Sequence, residues 1–140
     1  MSRARRASAQ TRVYCLDSWA VLRFLEGGSA AARRVRQVIR QGRPVMSWIN
    51  LGEVYYTIHR AAGGPEAEAT IGLLRPMVAL DSVTAERVMA AARIKARDPL
   101  AYADAFAVAT AAAHHAVLLT GDPEITRRAV GCRVEDLARR

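Results

Sequence analysis

Short apolar runs alternate with longer segments of helical periodicity along nearly the whole chain, and that alternation leaves few folds open. Residues 13–16 form the first run and end on Asp17; residues 18–26 then carry Trp19, Leu22 and Leu25 at helical spacing. Beyond Gly27 and Gly28, residues 29–41 set Ala32, Val35, Val38 and Ile39 on one face, with Arg33, Arg34, Arg36 and Arg40 around it. Gly42 and Pro44 lead into a second run at 45–46, and residues 49–62 resume helical spacing until Gly63, Gly64 and Pro65 stop it. The same reading gives a helix at 66–74, a strand at 77–80, and a helix at 83–97 that Pro99 prevents from running on. An alanine-rich helix at 100–115, a strand at 116–119, a short helix at 123–130 and a last strand at 133–134 follow. Strands joined through helices imply right-handed crossovers and a mostly parallel sheet covered by helices, an α/β fold. Sheets of this kind bind ligands beyond the C-terminal ends of their strands.

The length of 140 residues suits one domain, expected over residues 13–140, with a core that needs no disulfide or structural metal. Residues 1–12 carry Arg3, Arg5, Arg6 and Arg12 and read as a disordered basic tail or an over-extended start. No apolar stretch there is long enough for a signal peptide or a membrane span. The formal charge of +8 is almost entirely arginine, since Lys95 is the only lysine. Arginine's planar fork suits phosphate, which favours a nucleic-acid partner, although a GC-rich coding sequence accounts for the arginine equally well. Cys15 and Cys132 show neither zinc-ligand spacing nor a disulfide framework, which points to a reducing cytoplasm.

Four acids fall where a ligand site is expected. Asp17 ends the first strand, Asp122 follows the fourth, and Glu53 and Asp104 lie in early helical turns. Clustered carboxylates repel one another unless a cation or a shared proton compensates, and an all-oxygen set without His or Cys selects Mg²⁺ or Mn²⁺. Each acid also has a plain structural explanation. Asp17 can cap the helix that starts at Ser18, Glu53 stands three residues after Asn50 as in a capping box, and Asp122 precedes Pro123 and Glu124 as helix starts do. Capping explains Asp104 least, because it sits between Ala103 and Ala105 in a helix whose small residues imply burial on several sides. A buried, ionised carboxylate needs a counter-charge.

The order of these motifs resembles the PIN-domain ribonucleases, in particular the VapC-like toxins of bacterial toxin–antitoxin pairs. The resemblance rests on Tyr14-Cys15-Leu16-Asp17-Ser18-Trp19, Asn50-Leu51-Gly52-Glu53-Val54, Tyr102-Ala103-Asp104-Ala105-Phe106 and Leu119-Thr120-Gly121-Asp122, in that order. It implies a three-layer α/β/α fold with a five-stranded parallel sheet. It also implies binding of Mg²⁺ or Mn²⁺ by Asp17, Glu53, Asp104 and Asp122, with Thr120 as the hydroxyl that steadies the site. The implied activity is endonucleolytic hydrolysis of single-stranded or looped RNA by metal-activated water, leaving a 5′-phosphate and a 3′-hydroxyl. The implied partners are a VapB-like antitoxin that covers the pocket and a second copy of the chain.

Other residues carry weaker readings. Arg33, Arg34, Arg36, Arg40, Arg127 and Arg128 are candidates for holding RNA phosphates, or simply solvated helix faces. Trp19 is expected in the core and Tyr56 at an interface. His59, His114 and His115 read as surface or helix-end residues, with no Ser or Cys nucleophile placed beside them. Two other function classes remain: a non-catalytic RNA-binding protein, which explains the charge but not a buried Asp104, and a metal-dependent phosphatase on a similar sheet. The phosphatase lacks its second acid, since Trp19 stands where Asp-x-Asp would need one. No GxxxxGK phosphate loop occurs.

Overall fold

The computed structural model describes residues 12–128 and 130–139; the basic segment 1–11 lies outside them. The elements alternate as the periodicity predicts. Strand β1 (Tyr14–Leu16) leads to helices α1 (Ser18–Glu26) and α2 (Ala30–Gln41), and β2 (Val45–Ser47) to α3 (Trp48–Ala62) and α4 (Gly64–Leu74). A 3₁₀ turn (Arg75–Met77), β3 (Ala79–Asp81), α5 (Ala85–Arg97), α6 (Tyr102–Ala113), β4 (Val117–Thr120), α7 (Pro123–Thr126), β5 (Arg133–Asp136) and a 3₁₀ turn (Leu137–Arg139) complete the order. The five strands form one sheet in the order β3-β2-β1-β4-β5, and every pairing is parallel.

The sheet's two faces carry separate cores, as the period-2 geometry of strands requires. Leu16, Met46, Val117 and Leu119 face one way and pack with Ala20, Val21, Val35, Val38, Leu51 and Val54 of α1, α2 and α3. Cys15 and Leu118 face the other way, against Ala91 and Ile94 of α5 and the run from Ala105 to Ala109 of α6. The result is a three-layer α/β/α sandwich. Helix α6 is buried without interruption from Asp104 to Ala111, because alanines let it approach both the sheet and its helical neighbours. Burial on several sides is what its composition predicts.

Local chemistry explains where the element ends differ from the sequence reading. The third strand starts at Ala79 rather than at 77, because Pro76 puts Arg75–Met77 into a 3₁₀ turn. Helix α6 starts at Tyr102 rather than at 100: the Leu100 carbonyl is taken by Lys95 Nζ at 2.8 Å and the Leu100 N–H by the Asp98 carbonyl at 2.8 Å. Helix α7 ends at Thr126 rather than running to 130. Its only buried residue is Ile125, too little apolar surface to hold a second turn.

Arg34 departs from its reading as a phosphate holder. Its Nε and Nη2 bond both carboxylate oxygens of Glu135, at 2.7 and 3.0 Å, and Nη2 also donates to the Tyr14 hydroxyl at 3.1 Å. Its guanidinium lies 5.2 Å from the Tyr14 ring centroid. The fork thus ties α2 to the edge strand β5 and to β1. Arg34→Ala is expected to destabilise the fold by about 1–3 kcal/mol, the range for charge-assisted bonds, with Arg34→Lys recovering only part of it. Urea denaturation of the variants checks this.

Candidate active site

The sheet topology fixes where the acids meet. The chain builds outward from β1 to β2 and β3, then crosses to β4 on the other side of β1, so β1 and β4 flank the point where the strand order reverses. Crevices open beyond the strands at such points. Leu16 is in register with Leu119, so Asp17 and the Thr120-Gly121-Asp122 segment leave the sheet side by side.

Asp17 is almost fully buried, 2% exposed. Its Oδ1 accepts the Ala20 N–H at 2.9 Å as the N-cap of α1, and its Oδ2 accepts a short hydrogen bond from Thr120 Oγ1. Thr120, itself fully buried, takes the Asp122 N–H on the same oxygen at 3.0 Å. One hydroxyl thereby links two of the acids. Asp122 caps α7, its Oδ1 accepting the Glu124 N–H at 3.0 Å.

Asp104, in the first turn of α6, is 8% exposed. One carboxylate oxygen from each of Asp104, Asp122 and Glu124 lies within 4.8 Å of the other two, the one such grouping of potential metal ligands among the described residues. Glu124 was read only as part of a helix-start signature; the signal for it was an acid two residues after Asp122 in a first helical turn.

Glu53 is held from the side. Its Oε1 accepts from Ser18 Oγ at 2.9 Å and from Asn50 Nδ2 at 3.1 Å, while its Oε2 lies 3.5 Å from the Tyr56 hydroxyl. It remains close enough for its charge to act on both Asp17 and Asp104. Of the four sequence candidates, Asp104 and Asp122 thus come within ligand-sharing distance, Asp17 is tied to the Asp122 turn through Thr120, and Glu53 stands outside that grouping and acts on it through its charge.

Electrostatics at this place are unfavourable without a cation. Burial pushes Asp17 up to about 7, against the opposing pull of its bonds from Thr120 and Ala20, and the charges of Asp122 and Glu53 push the same way. Asp104 is raised by burial first, then by the charges of Asp122, Asp17 and Glu53. All-oxygen and mutually repelling, and running from buried Asp104 through half-buried Asp122 to exposed Glu124, this donor set fits a hard divalent cation, the three being near enough to share one.

Trp19 packs against the core beside α1 with Arg23 stacked 4.6 Å from its ring centroid, and its six-membered ring occupies the space a Cβ on Gly121 would fill. Tyr56 is exposed but borders Glu53. His114 Nε2 bonds Asp81 Oδ1 at 2.8 Å, and no histidine joins the acidic cluster. Arg128 Nε is turned onto the Glu124 carbonyl at 2.6 Å.

The PIN domain family profile matches residues 14–131. The chain belongs to the PIN domain family. Among solved structures, the DNA-bound VapBC complex of Salmonella typhimurium contains a chain similar to this one at TM-score 0.73 and 16% identity, covering 91% of this chain and 99% of that one. VapBC-1 of nontypeable Haemophilus influenzae gives 0.70 and 20%, covering 90% and 98%. VapC20 of Mycobacterium tuberculosis, described as a sarcin–ricin loop cleaving toxin, gives 0.63 and 19%, covering 86% and 98%. No curated protein sequence matches this chain.

The candidate site gives two expected outcomes. Asp17 and Asp104 are protonated more readily folded than unfolded, so their contribution to stability is fully present below the ordinary carboxylate range and is lost as pH rises to about 7 and beyond. In EDTA the protein is expected to melt at a higher temperature at pH 5 than at pH 7.5, and Asp104→Asn is expected to narrow that gap; scanning calorimetry reads both. Gly121→Ala must displace the Trp19 ring or the turn carrying Asp122, and overpacking of this kind costs about 1–3 kcal/mol. A melting temperature unchanged from wild type would show that the turn yields freely.

Proposed function

We propose that this PIN-domain protein is a metal-dependent endoribonuclease that acts as the toxin of a toxin–antitoxin pair. The observation that carries the reading is the meeting of Asp104 and Asp122, from α6 and the turn after β4, beside an Asp17 whose burial raises its pKa. Like charges placed together in a region of low exposure destabilise the fold, and such sites are where function is expected.

In this reading Asp17, Asp104 and Asp122 hold Mg²⁺ or Mn²⁺, Glu124 adds an oxygen at the rim, and Glu53 is a ligand or orients water. A divalent cation, when bound, supplies a Lewis-acidic centre that activates water and neutralises charge on the phosphate oxygens. Thr120 keeps Asp17 and Asp122 in fixed relation by donating to one and accepting from the backbone of the other. No side chain serves as a covalent nucleophile. Exposed Arg36, Arg40 and Arg127 remain as phosphate-holding residues, whereas Arg34 is engaged with Glu135.

The substrate class is single-stranded or looped RNA, whose backbone reaches a recessed site more readily than a duplex does. The partner is a VapB-like antitoxin, a reading supported by the VapBC and FitAB complexes among the similar structures. A basic side chain from it would compensate the carboxylates. A homodimer is the proposed working unit.

Purified protein is expected to cut single-stranded RNA with Mg²⁺ or Mn²⁺, to lose the activity in EDTA, and to lose more than about 100-fold on Asp104→Asn, beyond the loss typical of removing a ligand's outer partners. The variant should melt no lower than wild type in EDTA at pH 7.5, because it removes a buried repulsion. RNA bound tightly yet left intact with either metal would favour a non-catalytic RNA-binding protein.

A further inference from the structure

Asn50 is fully buried near the start of α3 and is not one of the acids. Its Nδ2 donates to Glu53 Oε1 at 3.1 Å and to the Ala103 carbonyl at 3.1 Å. Its Oδ1 has no hydrogen-bond partner although it is buried. The amide orientation follows from chemistry, since flipping it would set Oδ1 against a carboxylate and a carbonyl, both acceptors. A buried amide normally satisfies both ends. Here the donor end takes two acceptors and the acceptor end is left without one.

The two acceptors are not ordinary neighbours. Ala103 precedes Asp104, and Ser18, the other donor to Glu53 Oε1 at 2.9 Å, follows Asp17. The Glu53 carboxylate is therefore tied on one oxygen to the chain segments that carry two other acids. With Oε1 occupied by two short donors, only Oε2, 3.5 Å from the Tyr56 hydroxyl, is lightly engaged. We propose that Asn50 is a positioning residue: together with Ser18 it clamps Glu53 Oε1 and leaves Oε2 as the oxygen that Glu53 offers to the acidic cluster. This rests on the metal-dependent reading given above. The i to i+3 spacing of Asn50 and Glu53 resembles a capping box, yet Ser47 caps α3 through the Ile49 N–H, so Asn50 is free for this role.

Calorimetric Mn²⁺ titration and steady-state cleavage of a single-stranded RNA test the clamp on wild type, Asn50→Ala, Ser18→Ala, Glu53→Gln and the Asn50→Ala/Glu53→Gln double variant. Asn50→Ala is expected to weaken Mn²⁺ binding and lower kcat by about 10-fold or more, the size of effects seen when a ligand's supporting partner is removed, with KM changed less than about twofold. On the Glu53→Gln background the same substitution should add little, because both act through one carboxylate. Ser18→Ala, at a partly exposed position, should shift Mn²⁺ affinity in the same direction and keeps the test decisive if Asn50→Ala fails to fold. Equal Mn²⁺ affinity and kcat in wild type and both clamp variants, with only the melting temperature lowered, overturns the clamp and leaves the nuclease reading standing. Full additivity with Glu53→Gln also overturns it. Wild-type protein that binds no Mn²⁺ overturns both.

Discussion

The site depends on a repulsion that the rest of the fold must contain. Asp17, Asp104 and Asp122 are carried by β1, α6 and β4, and two of the three are nearly excluded from water. Burial and mutual repulsion raise Asp17 and Asp104 together, so without a compensating charge the cluster opposes folding. The opposing stabilisation comes from two cores, one on each face of the sheet, and from donors aimed at the acids. Thr120 and the Ala20 N–H hold Asp17; Ser18 and Asn50 hold Glu53.

Helix α6 shows how sequence composition produces this arrangement. A helix with larger side chains could not run buried from Asp104 to Ala111 while packing on α5, on α3 and on the sheet. Alanine at 103, 105, 107, 109 and 111 keeps it thin, and thinness lets its first turn reach the mouth of the crevice between β1 and β4. The same closeness removes water from Asp104, which is the largest cause of its raised pKa. A packing property and an electrostatic property thus share one origin.

Much of this was legible in the sequence, and the limits have physical causes. Strand–helix alternation gave the parallel sheet, and small residues around Asp104 gave its burial, because both depend on local pattern. β3 starts later than hydropathy suggests because Pro76 sets a turn that hydropathy alone does not register, and α7 stops earlier than its spacing suggests because Ile125 is its single buried residue. Arg34 was indistinguishable from its neighbours on α2 until Glu135, 101 positions away, appeared beside it. Glu124 went unrecognised as a neighbour of Asp104 for the same reason: the distance between α6 and α7 is a tertiary fact.

Helix capping and cation binding are compatible roles for these acids in this geometry. Asp17 caps α1 with Oδ1 and meets Thr120 with Oδ2. Asp122 caps α7 with Oδ1 and still brings a carboxylate oxygen within 4.8 Å of Asp104 and Glu124. A carboxylate has about four acceptor sites on two oxygens, so one backbone N–H uses only part of its capacity. Capping contributes something further: it fixes the rotamer, which suits the rigid coordination sphere of the proposed divalent-cation site. The short strand-to-helix turns after β1 and β4 are therefore suited to place acids at a metal because they are also suited to cap the helices that follow.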